Sequence, residues 1–255
     1  MKKIYFLLGL LLLSACASKA PEIDGFKRQT YLGKDNFFLS GQEKNLKMGE
    51  KLRVYFDGNA TTGGLFTKRA VLEHPVAAQL AQKDKAESIL YLDRPCYFSD
   101  DDRCKPITWE EGKYAPEIVD QIVFALWNIA QKYHIPEFEL IGYDGGGAVA
   151  LLVATRLSNK QIKVSKVVTI AGILDTEQYA LLHDEKLFEY SLNPAREAYT
   201  VANIPQLHII GKKDKQISET MAKLFSKKLL DPVSFVVKAY DSADHYNWAR
   251  FKMEY

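Results

Sequence analysis

The most constraining stretch of this chain is residues 138–157, where an apolar strand passes through a glycine-rich turn straight into a buried helix. Phe138-Glu139-Leu140-Ile141-Gly142 reads as a β-strand, and residues 148–157 read as a helix that is apolar nearly all round and therefore buried. Between them lies Gly142-Tyr143-Asp144-Gly145-Gly146-Gly147. A chain that turns so sharply needs small residues on the flanks of the turn. The central residue, Asp144, is then held out over the end of the sheet at the helix N-terminus, where backbone N–H groups stabilise negative charge. Taken alone, the same glycines also suit a tight turn that needs them only for packing.

The rest of the chain alternates short apolar runs with amphipathic stretches. Residues 52–56, 88–92, 164–170, 206–210 and 234–240 read as strands, the 164–170 run being of the fully buried kind. Residues 70–83, 115–133 and 219–229 carry helical spacing, with Pro116 in a first turn, where proline is tolerated. Strand and helix in alternation predict a mostly parallel, doubly wound α/β sheet. Residues 172–203 break the rhythm and read as a small insertion over the active face. The 255 residues suit one large domain or two small ones.

The N-terminus carries an address. Met1-Lys2-Lys3 is positive, residues 4–13 are an almost unbroken apolar run, and Leu13-Ser14-Ala15-Cys16 follows. Such a run is too short for a bilayer, which needs ~20 apolar residues, and fits a secretory signal peptide. The Leu-Ser-Ala-Cys ending resembles a bacterial lipobox, which implies that Cys16 is acylated and becomes the mature N-terminus; a plain signal peptide is the alternative. Ala17, rather than Asp, leaves transfer to the outer membrane open. The expected organisation is a signal peptide over 1–15, a tether over 16–30 and one domain over 31–255, lipid-anchored in a bacterial cell envelope and facing the periplasm. The whole chain holds 34 Lys and Arg against 32 Asp and Glu. Without Lys2 and Lys3 the mature chain is neutral by count, which argues against a nucleic-acid binder and a polybasic membrane anchor. An oxidising compartment favours a disulfide between Cys96 and Cys104, on the order of 2–3 kcal/mol for so small a loop, with two free thiols as the alternative. A metal site there lacks a nearby His or third Cys, and nothing in the sequence calls for a cofactor.

Two further residues fall in a telling order. Asp214 follows the 206–210 strand, and His245 follows the 234–240 strand. With Asp144 they sit at the carboxyl ends of three strands, where such sheets place ligands. A nucleophile elbow followed by an acid and then a histidine is the chain order of a hydrolytic triad. Singly, Asp214 reads as a surface turn residue and His245 as a loop histidine bonded to a carbonyl. An oxyanion site needs two N–H donors; Gly145 and either Gly58 or Asn59 are the candidates, although Asp57-Gly58-Asn59 also reads as an ordinary turn.

With these residues in hand, the chain resembles the α/β-hydrolase lipoproteins of proteobacteria. The likeness runs through Val54-Tyr55-Phe56-Asp57-Gly58, Arg94-Pro95-Cys96 to Cys104 and Trp109, Ser191-Leu192-Asn193-Pro194-Ala195, Ile204-Pro205-Gln206-Leu207-His208 and Asp244-His245-Tyr246-Asn247-Trp248, covering most of residues 50–250. It implies the α/β-hydrolase fold, an Asp214–His245 acid–base pair, a Cys96–Cys104 bridge and a small-molecule substrate. That group carries Gly-Tyr-Ser-Gly-Gly-Gly at the elbow, so Asp144 replaces its serine. Lesser departures are Lys213 before Asp214 and Gln216-Ile217-Ser218 after it.

A carboxylate has no hydroxyl proton for His245 to take. It attacks directly, as in dehalogenases and epoxide hydrolases of this fold, which resemble the chain at Gly-x-Asp-x-Gly. Three readings follow: a hydrolase of a small ester-like substrate with an Asp144/Asp214/His245 triad; a pseudoenzyme that binds or scaffolds; and a dehalogenase-like or epoxide-hydrolase-like enzyme, with Tyr179, Tyr190 or Tyr199 as leaving-group partners. Placed between two carboxylates, His245 is expected to have a raised pKa. His208 reads as a core histidine, His74 and His134 as surface residues, and His183 as a residue within reach of the pocket. The acidic run Ser99-Asp100-Asp101-Asp102 reads as a solvated loop, and Trp248 as packing beneath the His245 loop.

Overall fold

The computed structural model describes residues 20–62, 70–99 and 101–255. The expected signal peptide (1–15), the expected lipidation site Cys16 and Asp100 lie outside the described residues. In chain order the elements are β1 (Lys27–Leu32), β2 (Phe38–Lys44), β3 (Leu52–Phe56), β4 (Thr61–Thr62), β5 (Ala70–Val71), α1 (Val76–Lys83), β6 (Ile89–Leu92) and α2 (Pro116–Tyr133). They continue with β7 (Phe138–Tyr143), α3 (Gly145–Asn159), β8 (Val164–Ile170), α4 (Thr176–Leu182), β9 (Gln206–Gly211), α5 (Glu219–Ser226) and β10 (Phe235–Tyr240).

Eight strands make one sheet in the order β1-β2-β6-β3-β7-β8-β9-β10. The ladders from β6 through β10 are parallel, and those of β1 with β2 and of β2 with β6 are antiparallel. This is the α/β-hydrolase fold expected from the sequence. The central strands carry unbroken apolar runs because helices cover both faces of a parallel sheet. β7 is buried at every residue, and α3, its partner across the elbow, is buried over most of its length. The core is continuous through Leu52, Val54, Leu140, Val149, Val167 and Ile209. Among the described residues, no helix is long and apolar enough to cross a membrane.

Two boundaries differ from expectation. Residues 27–30 of the expected tether belong to β1, and Ile23 before them is buried, its N–H donating to Gln42 Oε1 at 3.0 Å. The sheet thus begins earlier than residue 31. The expected 70–83 helix starts only at Val76, after Pro75, because a proline biases the residue before it away from helix; Ala70–Val71 is a short strand instead. The insertion over 172–203 is built on α4, whose Asp175 cap accepts the N–H groups of Glu177 and Gln178, and on two single turns, Pro194–Arg196 and Ala198–Val201.

Candidate active site

The turn from β7 into α3 is set by contacts that exclude side chains. A Cβ on Gly142 would lie 2.0 Å from the carbonyl oxygen of Gly146, and one on Gly146 would lie 2.2 Å from that of Phe56. Asp144 at the apex has φ 48° and ψ −120°, a conformation that L residues rarely adopt. Its backbone is held by three hydrogen bonds. The N–H donates to Ile170 O at 3.1 Å, and the carbonyl accepts from Gly147 N–H at 2.9 Å and Ile173 N–H at 3.0 Å. The side chain therefore stands over the carboxyl edge of the sheet.

His245 and Asp214 meet Asp144 there. His245 Nδ1 donates to Asp214 Oδ2 at 2.9 Å, and its Nε2 lies 3.7 Å from Asp144 Oδ1. Asp214 is held by its own loop, since its Oδ1 accepts the N–H groups of Gln216 at 2.8 Å and Ile217 at 3.0 Å. The Tyr143 hydroxyl donates to the carbonyl of His245 at 2.9 Å and pins that loop to the elbow. Burial opposes charge on His245. The hydrogen bond to Asp214 and the charges of Asp144, Asp214 and Asp244 outweigh it, and the imidazole pKa is held above its ordinary value.

The loop after β3 supplies the facing donor. Asn59 N–H donates to Asp144 Oδ2 at 2.9 Å. Of the two candidates in this loop, Asn59 is the one that reaches the carboxylate. Gly58 N–H is turned toward Asp57 Oδ1 instead, at 3.2 Å, and is not the donor. Gly145, the second expected donor, opens α3, where N–H groups have no intrahelical acceptor, and lies close under the Asn59 side chain.

Several residues that hold this loop escaped the sequence reading. Arg94 is buried and donates from Nη1 to Gly58 O at 3.2 Å and Asn59 Oδ1 at 3.0 Å, and from Nη2 to Lys113 O at 2.6 Å. The Tyr114 hydroxyl donates to the same Asn59 Oδ1 at 2.8 Å. Asp57 is no ordinary turn residue. It accepts the N–H groups of Ala77 and Ala78 at 3.0 and 3.2 Å, capping α1, together with the Tyr91 hydroxyl at 3.1 Å. Their only sequence signal was the presence of Arg94 and Asp57 in motifs shared with the resembled group.

The site opens into a cavity of about 240 Å³. Asn59, Lys113, Asp144, Tyr179, His245 and Tyr246 are among its lining residues. Of the three cap tyrosines only Tyr179 lines it; Tyr190 and Tyr199 are exposed outside it. His183 does not reach the cavity and bonds the carbonyl of Gln216 through Nε2 at 2.9 Å. His74 is exposed but lines the cavity mouth, its ring 4.3 Å from that of Tyr246. His208 is a core residue bonded to Thr169 Oγ1 at 2.8 Å, and Trp248 is fully buried under its loop. Cys96 and Cys104 form a disulfide, and Asp101 in the loop between them pairs with Arg103.

A family model described as serine hydrolase (FSH1) matches residues 70–239. No curated protein matches the chain in sequence. Among solved structures, an acylaminoacyl peptidase of Pyrococcus horikoshii is similar at TM-score 0.64 and 16% identity, over 88% of this chain and 38% of that one. The chain thus spans well under half of the peptidase. An esterase of Pyrococcus furiosus is similar at TM-score 0.61 and 14% identity, over 88% of this chain and 84% of the esterase. A Pyrobaculum calidifontis esterase gives TM-score 0.56 and 17% identity, over 90% of this chain and 79% of that one. At these identities the likeness is one of fold.

Proposed function

The chain belongs to the serine hydrolase (FSH1) family, and from that premise we propose that it hydrolyses a small ester-like substrate with the Asp144 carboxylate as attacking group in place of a serine hydroxyl. One observation carries the reading. Asp144 Oδ2 is held by the Asn59 N–H at 2.9 Å, while Oδ1 faces the cavity, 3.7 Å from His245 Nε2. One oxygen is thus seated at the donor and the other is available.

In the first step Oδ1 attacks an electrophilic carbon, whose bond to the leaving group breaks, the leaving group departing with the electron pair. The product is an ester on Asp144 with its carbonyl oxygen on the Asn59 N–H. Water then attacks Cγ, giving one proton to His245 Nε2, and Asp214 stabilises the resulting imidazolium. The Asn59 N–H stabilises the oxyanion. Collapse breaks the Cγ–Oδ1 bond, and Oδ1 departs on the substrate carbon as an alcohol with the proton from His245; the water oxygen stays on Cγ, its remaining proton passes to solvent, and the Asp144 carboxylate is restored. Carbons with good leaving groups suit this chemistry, because attack of a weak base on an ordinary acyl carbon gives a mixed anhydride.

A second reading, a binding protein without turnover, is favoured by the raised pKa of His245, which weakens it as a base. Turnover of aryl esters and small epoxides by the native protein, Asp144→Ser and Asp144→Asn separates the two. The proposal expects native turnover that falls at least about 100-fold in Asp144→Asn. Equal turnover in both removes Asp144 as nucleophile. Esterase activity gained in Asp144→Ser, with none in the native protein, establishes the second reading.

The N-terminal reading belongs to the proposal as well: acylated Cys16 tethers the enzyme in the cell envelope, at the outer membrane. Incorporation of labelled palmitate that is lost in Cys16→Ser supports it, and absence of label in the native protein removes it.

A further inference from the structure

Among the described residues, Lys113 is a cation in the reaction cavity with no carboxylate in ion-pair contact. It sits among the cavity-lining residues and is partly buried. Its Nζ lies 4.4 Å from the centre of the Phe188 ring, and among the described residues no carboxylate lies within ion-pair distance. Its backbone is fixed to the rest of the site. Arg94 holds Lys113 O through Nη2 and the Asn59 loop through Nη1, so a single guanidinium sets the spacing between the lysine and the Asn59 N–H. The next residue, Tyr114, bonds Asn59 Oδ1 from the other side.

A partly buried ammonium pays for lost hydration unless a counter-charge reaches it. Burial, and then the neighbouring Arg94, lower the pKa of Lys113, against the charges of Asp144, Glu185 and Glu110. Glu73 and Glu185 also line the cavity but are exposed, at its mouth, where water and salt screen them. The unpaired positive charge lies deeper than the acidic rim.

The geometry points to Lys113 as a specificity residue that binds an anionic oxygen group, a carboxylate or a phosphate, on the substrate attacked by Asp144. The inference rests on the reading of this cavity as the substrate site, and its test uses binding rather than turnover, so the two can fail separately.

Acetate and inorganic phosphate serve as probes, titrated at constant ionic strength against chloride and followed by calorimetry. The proteins are native, Asp144→Asn, Lys113→Met and Lys113→Arg. Lys113→Met keeps the apolar stem over Phe188 and removes the charge; Lys113→Arg keeps the charge. The expected result is binding to the native protein by at least one probe, weakened about tenfold or more in Lys113→Met and retained within a few-fold in Lys113→Arg. Binding tightens in Asp144→Asn, where a negative neighbour is gone. No binding to the native protein, or equal binding by Lys113→Met, overturns the inference. Anion binding that survives in Asp144→Asn, with unchanged turnover, leaves Lys113 in its role and removes only the nucleophile.

Discussion

At position 144 a carboxylate in place of a hydroxyl changes the charge that His245 meets. The imidazole has Asp214 on one side and Asp144 on the other, at 2.9 and 3.7 Å. Both favour imidazolium, and burial alone does not cancel them. A raised pKa means that His245 is neutral, and able to accept a proton from water, only above the ordinary histidine range. The hydrolytic rate is therefore expected to rise with pH along a limb displaced above ~6.5. In Asp144→Asn one of the two fields is gone, and the His245 pKa should fall. An NMR titration of the imidazole in both proteins checks this, and an unmoved pKa would show that the Asp144 charge is not felt at the ring. Asp214 and His245 were legible in the sequence because each follows a strand, in the order that brings strand ends to one edge. Arg94, Lys113 and Tyr114 were not legible. Arg94, which also holds the Lys113 carbonyl, and Tyr114 clamp Asn59, which lies 35 residues away in the chain from Arg94, and no local pattern encodes such a contact.

Among the elements, the same division appears between what periodicity reveals and what only tertiary pairing creates. β7 and β8 were readable because burial on both faces demands continuous apolar runs. β1 was missed because it is an edge strand with most side chains exposed, so its sequence, Lys27-Arg28-Gln29-Thr30-Tyr31-Leu32, reads like a polar tether. The expected start of α1 runs across Pro75, which bars helix before it, and the residue that satisfies its first N–H groups, Asp57, lies far off in sequence. That cap joins two functions: its carboxylate satisfies the first N–H groups of α1, and it fixes the base of the loop that ends in Asn59. Asp57→Ala should cost on the order of 1–2 kcal/mol of stability by loss of the cap. Amide exchange should accelerate at Ala77 and Ala78, and denaturant unfolding with hydrogen exchange measures both. Exchange unchanged at these two amides would mean that α1 does not depend on Asp57.

For the whole molecule, buried ionisable groups give stability two opposing dependences on pH. Burial pushes Asp57 and Asp93 up to about 6. Among the described residues, one Asp93 carboxylate oxygen has no partner, while the other meets Arg28 and Ser40. Each of these folded-state values lies above the unfolded one, near 3.9. Their contribution is complete below pH ~4 and is lost as pH rises through about 6. His208 behaves in the opposite sense. Burial pushes it down to about 3, so the unfolded chain takes up a proton below ~6.5 that the folded protein refuses. Its contribution is complete above pH ~6.5 and is lost as pH falls toward about 3. Between pH 4 and 6 the two effects act together and partly cancel, so the native curve alone conceals both. Single variants separate them. The stability advantage of the native protein over His208→Gln should shrink as pH falls below ~6.5, approaching about 1.4 kcal/mol per pH unit between pH ~5.5 and ~4. Its advantage over Asp93→Asn should move the other way over the same range, growing as pH falls. Urea unfolding at several pH values reads both slopes. Parallel curves for the native protein and His208→Gln would mean that the imidazole is protonated in the folded core, which is incompatible with His208 sealed between Thr169 and Gln206 as a neutral ring.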